Sequence, residues 1–375
     1  MAERIVLAYS GGLDTSVAIR WLAEQYQAEV VAVTLDLGQG KPLDAMRDRA
    51  LAAGAVRCHV LDVREELARD YVLPALKANA LYEERYPMAT ALGRPLIAKK
   101  LVEIAHIERA VAVAHGATGR DNDQIRLEVL VSSIDASLRV VAPARLRGLS
   151  RADKIAYAIE HGIPVRATPG SPYSVDSNLW GRSITGGVLV DPWQEAPEEI
   201  YALTKSPADT PMQPAYVEMA FERGLPAAIN GVPMSFTEIV ESLTTIAGAH
   251  SVGRIDMVEN RLVGVKLREI YEAPAAVVLH MAHKELESFV MSTALHRFKQ
   301  QVATQYADIV YNGLWFTPFR EALDAFVERV QERVTGTIRL KLFKGDCHVV
   351  GRQSPFALDD RVAAVDNTDE PVPVR

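Results

Sequence analysis

A short run of small, hydroxyl-bearing and acidic residues near the amino terminus has the composition of an anion-binding loop. The segment AYSGGLDTS, residues 8–16, joins the apolar run RIVLAY to the amphipathic run TSVAIRWLAEQY, which predicts a strand that turns directly into a helix. Such a turn presents free backbone N–H groups and the positive end of the helix dipole. Gly11 and Gly12 would let a ligand approach without meeting a Cβ atom. Further donors are the hydroxyls of Ser10, Thr15 and Ser16. The spacing therefore predicts a phosphate-binding loop.

This loop differs from the common phosphate loops because it contains an aspartate and no lysine. A Walker loop needs a lysine followed by Ser or Thr, and the dinucleotide fingerprint needs a third glycine; residues 8–16 contain neither. The carboxylate of Asp14 would lie where an anion binds, which is favourable if Mg²⁺ lies between it and the phosphates. The structural alternative is a tight turn in which Ser10 or Asp14 is an ordinary helix cap.

Strand and helix signals alternate over the first 165 residues. Uniformly apolar runs such as EVVAVTLDLG and AVAVAHG are separated by stretches of helical periodicity, two of them long, at about 64–80 and 88–108. The alternation predicts an α/β fold, a doubly wound parallel sheet with helices on both faces. Right-handed crossovers then place a ligand at the carboxyl ends of the strands. We predict a nucleotide-binding domain over residues 1–165.

A change of pattern at VRATPGSPYSVDSN, residues 165–178, predicts the start of a second domain. The later signals are strands at AYVEMAFERG and PAAIN, a helix at SFTEIVESLTTIAG, long helices at about 279–305 and 318–334, and a hairpin of GTIRLKLFKG and DCHVVGRQS. This mixture predicts an α+β synthetase domain over residues 166–358. The polar, acidic residues 359–375 predict a short disordered tail.

The composition of the 375 residues excludes several classes of protein. Hydrophobic residues make up 49% and charged residues 24%, and a net charge of −7 argues against a nucleic-acid-coating surface. Two cysteines, Cys58 and Cys347, exclude a disulfide framework and a multi-cysteine zinc site. No apolar run approaches the roughly 18 residues of a spanning helix, and the amino terminus lacks a signal-peptide pattern. We predict a soluble, cytoplasmic protein that binds neither membrane nor nucleic acid.

Beyond the loop, the sequence resembles one family of the N-type ATP pyrophosphatases, the argininosuccinate synthases. The matching segments extend to about residue 356 and include NALYEERYPMATALGRPLIAKKLVEIA, HGATGRDNDQIRLE, PYSVDSNLWGRSITGGVLVDPW, SVGRIDMVENRLVG, REIYEAPA, YNGLWFTP and QERVTGTIRLKLFKG. The resemblance implies a carbon–nitrogen ligase that uses ATP to join citrulline to aspartate. Citrulline would become citrullyl-AMP with loss of pyrophosphate, and the aspartate amine would then expel AMP.

The resemblance also implies a role for individual residues. Catalytic roles would fall to Asp14, Asp123 and Arg126, with Asp14 also binding Mg²⁺ through the ATP phosphates. ATP would contact Ala8, Tyr9, Ser10, Gly11, Gly12, Leu13, Asp14, Thr15, Ser16, Leu35 and Gly116. Aspartate would contact Thr118, Asn122 and Asp123. Citrulline would contact Tyr86, Thr90, Asn122, Arg126, Ser174, Ser183, Glu259 and Tyr271. The family's assembly implies a homotetramer.

Some positions depart from the family's pattern. Asp121 stands where glycine is usual, Leu35 where alanine is common and Ala91 where serine is often found. The stretch PARLRGL lacks an expected tryptophan, and the polar tail stands where the family has a longer helical arm. Two alternatives therefore stay open, a paralogue that ligates another ureido substrate or amine and a non-catalytic nucleotide-binding regulator. The intact Asp14 loop counts against the regulator. We also predict that Asp121 repels aspartate and raises its Michaelis constant.

Overall fold

The computed structural model describes residues 2–40, 43–117, 122–143, 150–164 and 172–357. Thr118, Asp121, most of the PARLRGL stretch and the tail from residue 358 lie outside these ranges, so the predictions made for them stay predictions. None of the helices within the ranges combines the length and the apolar character that a bilayer span requires.

The strands and helices follow one another along the described ranges as the sequence pattern indicates for the first domain. The strands are β1 (Arg4–Ala8), β2 (Glu29–Asp36), β3 (Arg57–Asp62), β4 (Ala112–Ala114), β5 (Arg139–Val141), β6 (Tyr173–Asn178), β7 (Gly181–Gly186), β8 (Ala215–Glu222), β9 (Leu225–Ile229), β10 (Val232–Pro233), β11 (Arg254–Asn260), β12 (Lys266–Glu272), β13 (Gly336–Phe343) and β14 (Asp346–Gln353). The helices are α1 (Leu13–Tyr26), α2 (Leu43–Ala52), α3 (Arg64–Leu67), α4 (Leu73–Ala78), α5 (Ala89–Glu108), α6 (Asn122–Ile134), α7 (Arg151–Glu160), α8 (Phe236–Ala249), α9 (Pro274–Val290), α10 (Thr293–Tyr311) and α11 (Pro318–Gln331). A π-helical turn, Ala68–Val72, joins α3 to α4.

The first five strands form a parallel sheet in the order β3-β2-β1-β4-β5. The chain winds outward from β1 through β2 to β3, crosses back, and winds the other way through β4 to β5. The direction of winding therefore changes between β1 and β4. At such a switch point the connections leave toward opposite faces and open a crevice at the carboxyl ends of the strands. The predicted doubly wound sheet is confirmed.

Apolar side chains cover both faces of this sheet. Ile5 and Leu7 pack with residues of α1 on one face, whereas Val6 and Val31 pack with residues of α5 and α6 on the other. Successive residues of a strand point to opposite faces, so a strand that is covered on both sides must be apolar throughout. This requirement explains why the segment Arg4–Ala8 shows no polar alternation after its first residue.

The remaining strands form two antiparallel sheets, as an α+β domain requires. One is five-stranded in the order β10-β9-β8-β13-β14, and the other is four-stranded in the order β11-β12-β7-β6. Hydrogen bonds tie the four-stranded sheet and its turn to the first domain: Asn178 Nδ2 donates to the carbonyl of Ala89 at 2.6 Å, and Leu179 N donates to the carbonyl of Leu37 at 2.7 Å. The polar strands of this sheet thereby lie beside the parallel sheet.

Two local predictions for the second domain were wrong. The long helix expected at about 279–305 is two helices, α9 and α10, because Met291 adopts an extended conformation (ψ 144°). Ser292 then caps α10 by accepting from the backbone N–H of Leu295 at 3.4 Å. The segment expected to consist of turns includes strand β6, and the hairpin of β11 and β12 was not predicted at all.

Candidate active site

The glycine-rich loop after β1 turns into α1 without a side-chain cap. Gly12 occupies the N-cap position with φ −83° and ψ 171°, and no side chain there caps the helix. The alternative in which Ser10 or Asp14 caps α1 is therefore wrong. Gly11 has φ +72°, and a Cβ atom there would lie 2.2 Å from Met46 Sδ, so only glycine fits. The first N–H groups of α1 remain available to an anion.

The hydroxyl side chains of the loop line the crevice, and they also stabilise the shape of the loop. Ser10 Oγ lies 3.2 Å from Thr15 Oγ1, which in turn donates to the carbonyl of Gly12 at 3.3 Å. The buried Ser16 hydroxyl instead lies 3.1 Å from the phenol oxygen of Tyr9. Ser10 and Thr15 thus face the crevice, whereas Ser16 supports the loop from behind.

A cavity of about 470 Å³ opens at the carboxyl ends of β1, β2 and β4, the switch point of the sheet. This volume lies within the roughly 300–1,000 Å³ of small-molecule sites. The residues assigned to ATP by resemblance that line it are Ala8, Tyr9, Ser10, Asp14, Thr15, Leu35 and Gly116. Those that do not line it are Gly11, Gly12, Leu13 and Ser16. At Gly116, a Cβ atom would lie 2.8 Å from Thr15 Cγ2, so glycine keeps the cavity floor clear.

The loop lacks a lysine in its sequence, but the fold brings one to it. Lys154, on α7, places Nζ 2.5 Å from Oδ1 of Asp14, across 140 residues of chain. The Asp14 side chain is 49% exposed and that of Lys154 is 15% exposed. No sequence signal distinguishes Lys154 from other helical lysines, because only the packing of α7 beside α1 brings it here.

A second, smaller cavity of about 70 Å³ lies between the helices α5 and α6 and the four-stranded sheet. Every residue assigned to citrulline by resemblance lines it: Tyr86, Thr90, Asn122, Arg126, Ser174, Ser183, Glu259 and Tyr271. These residues come from the chain before α5, from α5 and α6, and from four strands of a single sheet. Asp123, Asp176, Thr185, Arg261, Glu269 and Tyr311 complete the lining.

Glu259 is the charged centre of the smaller cavity. Its carboxylate accepts from the phenol of Tyr311 at 2.9 Å and lies 2.7 Å from the phenol oxygen of Tyr271. The rings of Tyr86 and Tyr271 stack with centroids 3.8 Å apart, and Thr90 Oγ1 lies 3.2 Å from Ser183 Oγ. The cavity therefore offers the deeply buried Glu259 carboxylate, held by two phenols, and hydroxyl groups along its wall.

Asp123 and Asp176 line both cavities, so they form a shared wall. Arg94 lies between these two carboxylates; its Nη2 donates to Asp123 at 2.6 Å and also contacts Asp176. Arg126 Nη1 donates to the other oxygen of Asp123 at 3.0 Å. Burial alone would raise the pKa of Asp123, but the Arg94 and Arg126 guanidinium groups outweigh it and hold that pKa well below its usual range. Asp123 is therefore a carboxylate at any physiological pH.

Sequence reasoning missed Arg94 and Asp176. Arg94 lies in the middle of the periodic pattern of α5, and Asp176 lies in the segment that was expected to form turns. A buried carboxylate needs a cation, so the assignment of Asp123 to a substrate site is a signal that could have prompted a search for an arginine such as Arg94.

The chain matches the sequence profiles of two domains, described as the arginosuccinate synthase N-terminal HUP domain over residues 4–164 and the arginosuccinate synthase C-terminal domain over residues 173–372. The chain belongs to the argininosuccinate synthase family. The argininosuccinate synthase of Symbiobacterium thermophilum is 54% identical over 357 residues, which cover 95% of this chain and 89% of that protein. The argininosuccinate synthase of Rubrobacter xylanophilus is 55% identical over 356 residues, which cover 95% and 87% of the two chains.

The solved structure of one NAD⁺ synthetase is much less similar to this chain than these relatives are. An NAD⁺ synthetase from Burkholderia pseudomallei is 25% identical over 44% of this chain and 70% of that chain, with a TM-score of 0.28. A similarity of this size supports no statement about function. Membership of the argininosuccinate synthase family therefore rests on the sequence, and the HUP domain brings with it the use of ATP.

Proposed function

We propose that the two cavities divide the reaction between them, with ATP in the larger and citrulline in the smaller. As a member of this family, the chain catalyses the ATP-dependent ligation of citrulline and aspartate to argininosuccinate, a step of arginine biosynthesis. The observation that carries the proposed division is the shared wall of Asp123 and Asp176. Only at such a wall can the ureido oxygen of one ligand reach the α-phosphorus of the other.

The larger cavity suits ATP because its lining combines hydrogen-bond donors with apolar side chains. The loop from Ser10 to Thr15 offers hydroxyl and backbone N–H donors for the phosphates. Leu35, Leu37 and Ile97 offer an apolar surface for the adenosine. Leu35, which stands where alanine is common, lines the larger cavity and not the smaller one.

The residues of the loop fit a magnesium ion. Asp14 presents a half-exposed carboxylate on the cavity wall, and carboxylate oxygen with phosphate oxygens is the ligand set that Mg²⁺ prefers. We infer that Asp14 would hold the ion, which would supply charge neutralisation at the leaving pyrophosphate. The chain's own contribution is to position donors along the phosphates, through Ser10, Thr15 and the first turn of α1.

In the smaller cavity, Glu259 would take the α-ammonium group of citrulline. This end of the cavity is deeply buried, and the two phenols that contact Glu259 keep the carboxylate directed inward. Asn122 and Arg126 line the cavity near the same end and suit the α-carboxylate. The ureido group would then extend toward Asp123 and Asp176, beside ATP.

Aspartate would bind over residues 118–123, of which the structure describes Asn122 and Asp123. Asn122 donates to the phenol oxygen of Tyr311 at 2.9 Å and accepts from the backbone N–H of Leu262 at 3.0 Å. The amide oxygen and one of the two amide hydrogens of Asn122 therefore have structural partners already, which leaves one N–H for a ligand carboxylate. We infer that this N–H serves the α-carboxylate of citrulline, and that the contribution of Asn122 to aspartate binding is mainly to hold the start of α6 in place.

We further propose, on the family resemblance, a division into residues 1–165 and 166–358, a cytoplasmic location and a homotetrameric assembly. Cys58 and Cys347 are free, buried thiols, which is consistent with a reducing compartment. Light scattering before and after deletion of residues 366–375 would test our expectation that the tail contributes nothing to assembly.

Continuous turnover should release AMP and pyrophosphate in equal amounts and should need both citrulline and aspartate, whereas citrulline alone should release at most one pyrophosphate per site as citrullyl-AMP forms. The reason is that the loop holds the leaving phosphates, whereas the α-phosphorus faces the smaller cavity. Chromatography of ATP labelled in the α-phosphate would follow AMP directly. Stoichiometric ADP and orthophosphate would contradict this prediction, and pyrophosphate release with a different amine would favour the paralogue.

Replacing Glu259 by glutamine should weaken citrulline binding and leave ATP binding nearly unchanged. A hydrogen bond to a charged group contributes about 1.5–3 kcal/mol, which corresponds to a roughly 10- to 100-fold increase in the citrulline Michaelis constant. Isothermal titration with each ligand separately would measure both effects. As a control, Glu218→Gln changes a partly exposed carboxylate in the middle of β8 that lines neither cavity. An equal loss for citrulline and ATP would show that Glu259 acts through folding.

A further inference from the structure

The larger cavity has an unfavourable balance of charge for a site that would take a triphosphate. Its described lining contains three carboxylates, those of Asp14, Asp123 and Asp176. His115 also lines it, but burial lowers the pKa of this imidazole to about 4, so the ring is neutral at physiological pH. Among the described lining residues, the guanidinium of Arg94 is therefore the one positive charge that a side chain brings to the phosphates.

Arg94 lies at the shared wall of the two cavities. Its Nη2 donates to Asp123 at 2.6 Å and also contacts Asp176, and these are the two carboxylates that line both cavities. Arg94 lines the larger cavity and not the smaller one, whereas Arg126 lines the smaller cavity and not the larger one. Of the two guanidinium groups that hold Asp123, Arg94 is therefore the one available to a ligand in the larger cavity.

The guanidinium of Arg94 keeps hydrogen-bond donors after these contacts. Nη2 contacts both carboxylates, which accounts for its two hydrogens. Nη1 has no hydrogen-bond partner among the residues that the structure describes. An arginine side chain stays charged at physiological pH, and the geometry of its donors suits phosphate oxygens. Asp123 and Asp176 hold the group in position before ATP binds, which is the preorganisation that electrostatic catalysis requires.

The mixed charge of the shared wall matches the two partners of the first half-reaction. As the ureido oxygen of citrulline bonds to the α-phosphorus, the bond from that phosphorus to the β-phosphate oxygen breaks, and its electron pair leaves with pyrophosphate. The ureido group becomes a cation, the α-phosphate keeps one negative charge, and no proton moves. The wall carboxylates favour the new cation, but they repel the phosphate unless a positive charge lies beside them.

We propose that Arg94 is a catalytic residue whose Nη1 donates to a non-bridging oxygen of the α-phosphate while citrulline is adenylated. This inference rests on the proposed placement of ATP and citrulline in the two cavities. Arg94 keeps all its protons and offsets the repulsion between the wall carboxylates and the α-phosphate. Arg94→Lys retains a positive charge for Asp123 and Asp176 but loses the second arm of donors. It should slow the first release of pyrophosphate with citrulline on the order of 100-fold.

A binding measurement without turnover separates contact with the phosphate from support of the wall. In Arg94→Lys, the affinity for AMP should fall about tenfold because a charge-assisted hydrogen bond is lost. The affinity for adenosine, which has no α-phosphate, should be nearly unchanged. Lys154→Met is the matched control, since it removes a cation that pairs with the loop but lines neither cavity, and it should change the ratio of the two affinities far less. Equal losses for AMP and adenosine in Arg94→Lys would overturn the inference.

The two diastereomers of ATP that carry sulfur on the α-phosphate test which group contacts each oxygen. In the wild type, sulfur in place of the oxygen that accepts from Arg94 should slow pyrophosphate release more than sulfur in the other position. This preference should largely disappear in Arg94→Lys and should persist in the wild type when Cd²⁺ replaces Mg²⁺. A preference that survives in Arg94→Lys, or that Cd²⁺ reverses, would overturn the inference, and reversal would assign the oxygen to the metal.

Failure of the inference and failure of the proposed function are distinguishable. If the wild type releases no pyrophosphate from ATP with citrulline, the proposed function is wrong, and the titrations with AMP and adenosine still decide whether Arg94 contacts the α-phosphate. If Arg94→Lys does not fold, the wild-type comparison of the two diastereomers in Mg²⁺ and Cd²⁺ still decides, because equal rates for the two diastereomers would also overturn the inference.

Discussion

Replacing Asp123 by asparagine should destabilise the fold by roughly 3–5 kcal/mol and lower kcat on the order of 100-fold. Asp123 is a buried carboxylate that accepts from Arg94 at 2.6 Å and from Arg126 at 3.0 Å. Its neutral replacement leaves two buried guanidinium groups with too little countercharge. They would repel each other at the wall where the two ligands must meet, and a displacement of about 1 Å there is enough for such a loss of rate.

Asp176 provides a matched control for this prediction. It contacts the same Arg94, but its side chain is 44% exposed, whereas that of Asp123 is 13% exposed. Water therefore compensates for loss of the Asp176 charge, and Asp176→Asn should cost clearly less stability. Urea denaturation of both variants beside steady-state kinetics would measure the two effects. Equal destabilisation by the two substitutions would mean that burial of Asp123 does not determine its role.

The pairing of Asp123 with Arg94 and Arg126 predicts how stability depends on pH. The pKa of Asp123 is lower in the folded protein than its ordinary value, about 3.9 for a free aspartate. A group with a depressed pKa contributes stability that is present above its unfolded pKa and is lost as the pH falls toward its folded pKa. Asp123 therefore contributes to stability throughout the neutral range, and this contribution should disappear only in strong acid. In Asp123→Asn, this loss of stability in strong acid should be missing.

The parts of the molecule that could be predicted from sequence are those whose signals are local. The loop from Ser10 to Ser16, the strands of the parallel sheet and the position of the crevice follow from a strand-to-helix turn and uniformly apolar runs. Residues on one helix or one strand can be assigned in this way because a period of 3.6 or 2 is visible within a few residues. Helix α5 is an example, since its predicted range of about 88–108 is nearly the observed one.

The parts that could not be predicted depend on contacts between distant segments. Strands β6 and β7 contribute Ser174, Asp176 and Ser183 to a polar cavity, and this polar character concealed them as strands. Lys154 and Arg94 lie on helices with ordinary composition, and only tertiary packing brings them to carboxylates on other elements. Family resemblance supplied the citrulline residues, but it did not supply Arg261, Glu269 and Tyr311, which line the same cavity.

Replacing Asp14 by asparagine should lower the rate of pyrophosphate release on the order of 100- to 1,000-fold while changing stability by less than about 1 kcal/mol. Stability should hardly change because Asp14 is half exposed and its pair with Lys154 at 2.5 Å is accessible to water. The rate should fall because a carboxylate beside a triphosphate is repelled unless a cation lies between them, and we expect Asp14 to serve as a ligand of Mg²⁺ there.

Lys154→Met separates this role from simple support of the loop. If Asp14 served only to hold Lys154, the two single variants and the double variant would all lose the same activity. We expect instead that Lys154→Met weakens ATP binding by a few fold, because one long-range charge near the phosphates is lost, and that Asp14→Asn alone makes ATP affinity insensitive to Mg²⁺. Titration of ATP with and without Mg²⁺ measures this without turnover. A Mg²⁺ response that survives in Asp14→Asn would remove Asp14 from the metal site and leave the loop's hydroxyls and backbone as the groups that hold the phosphates.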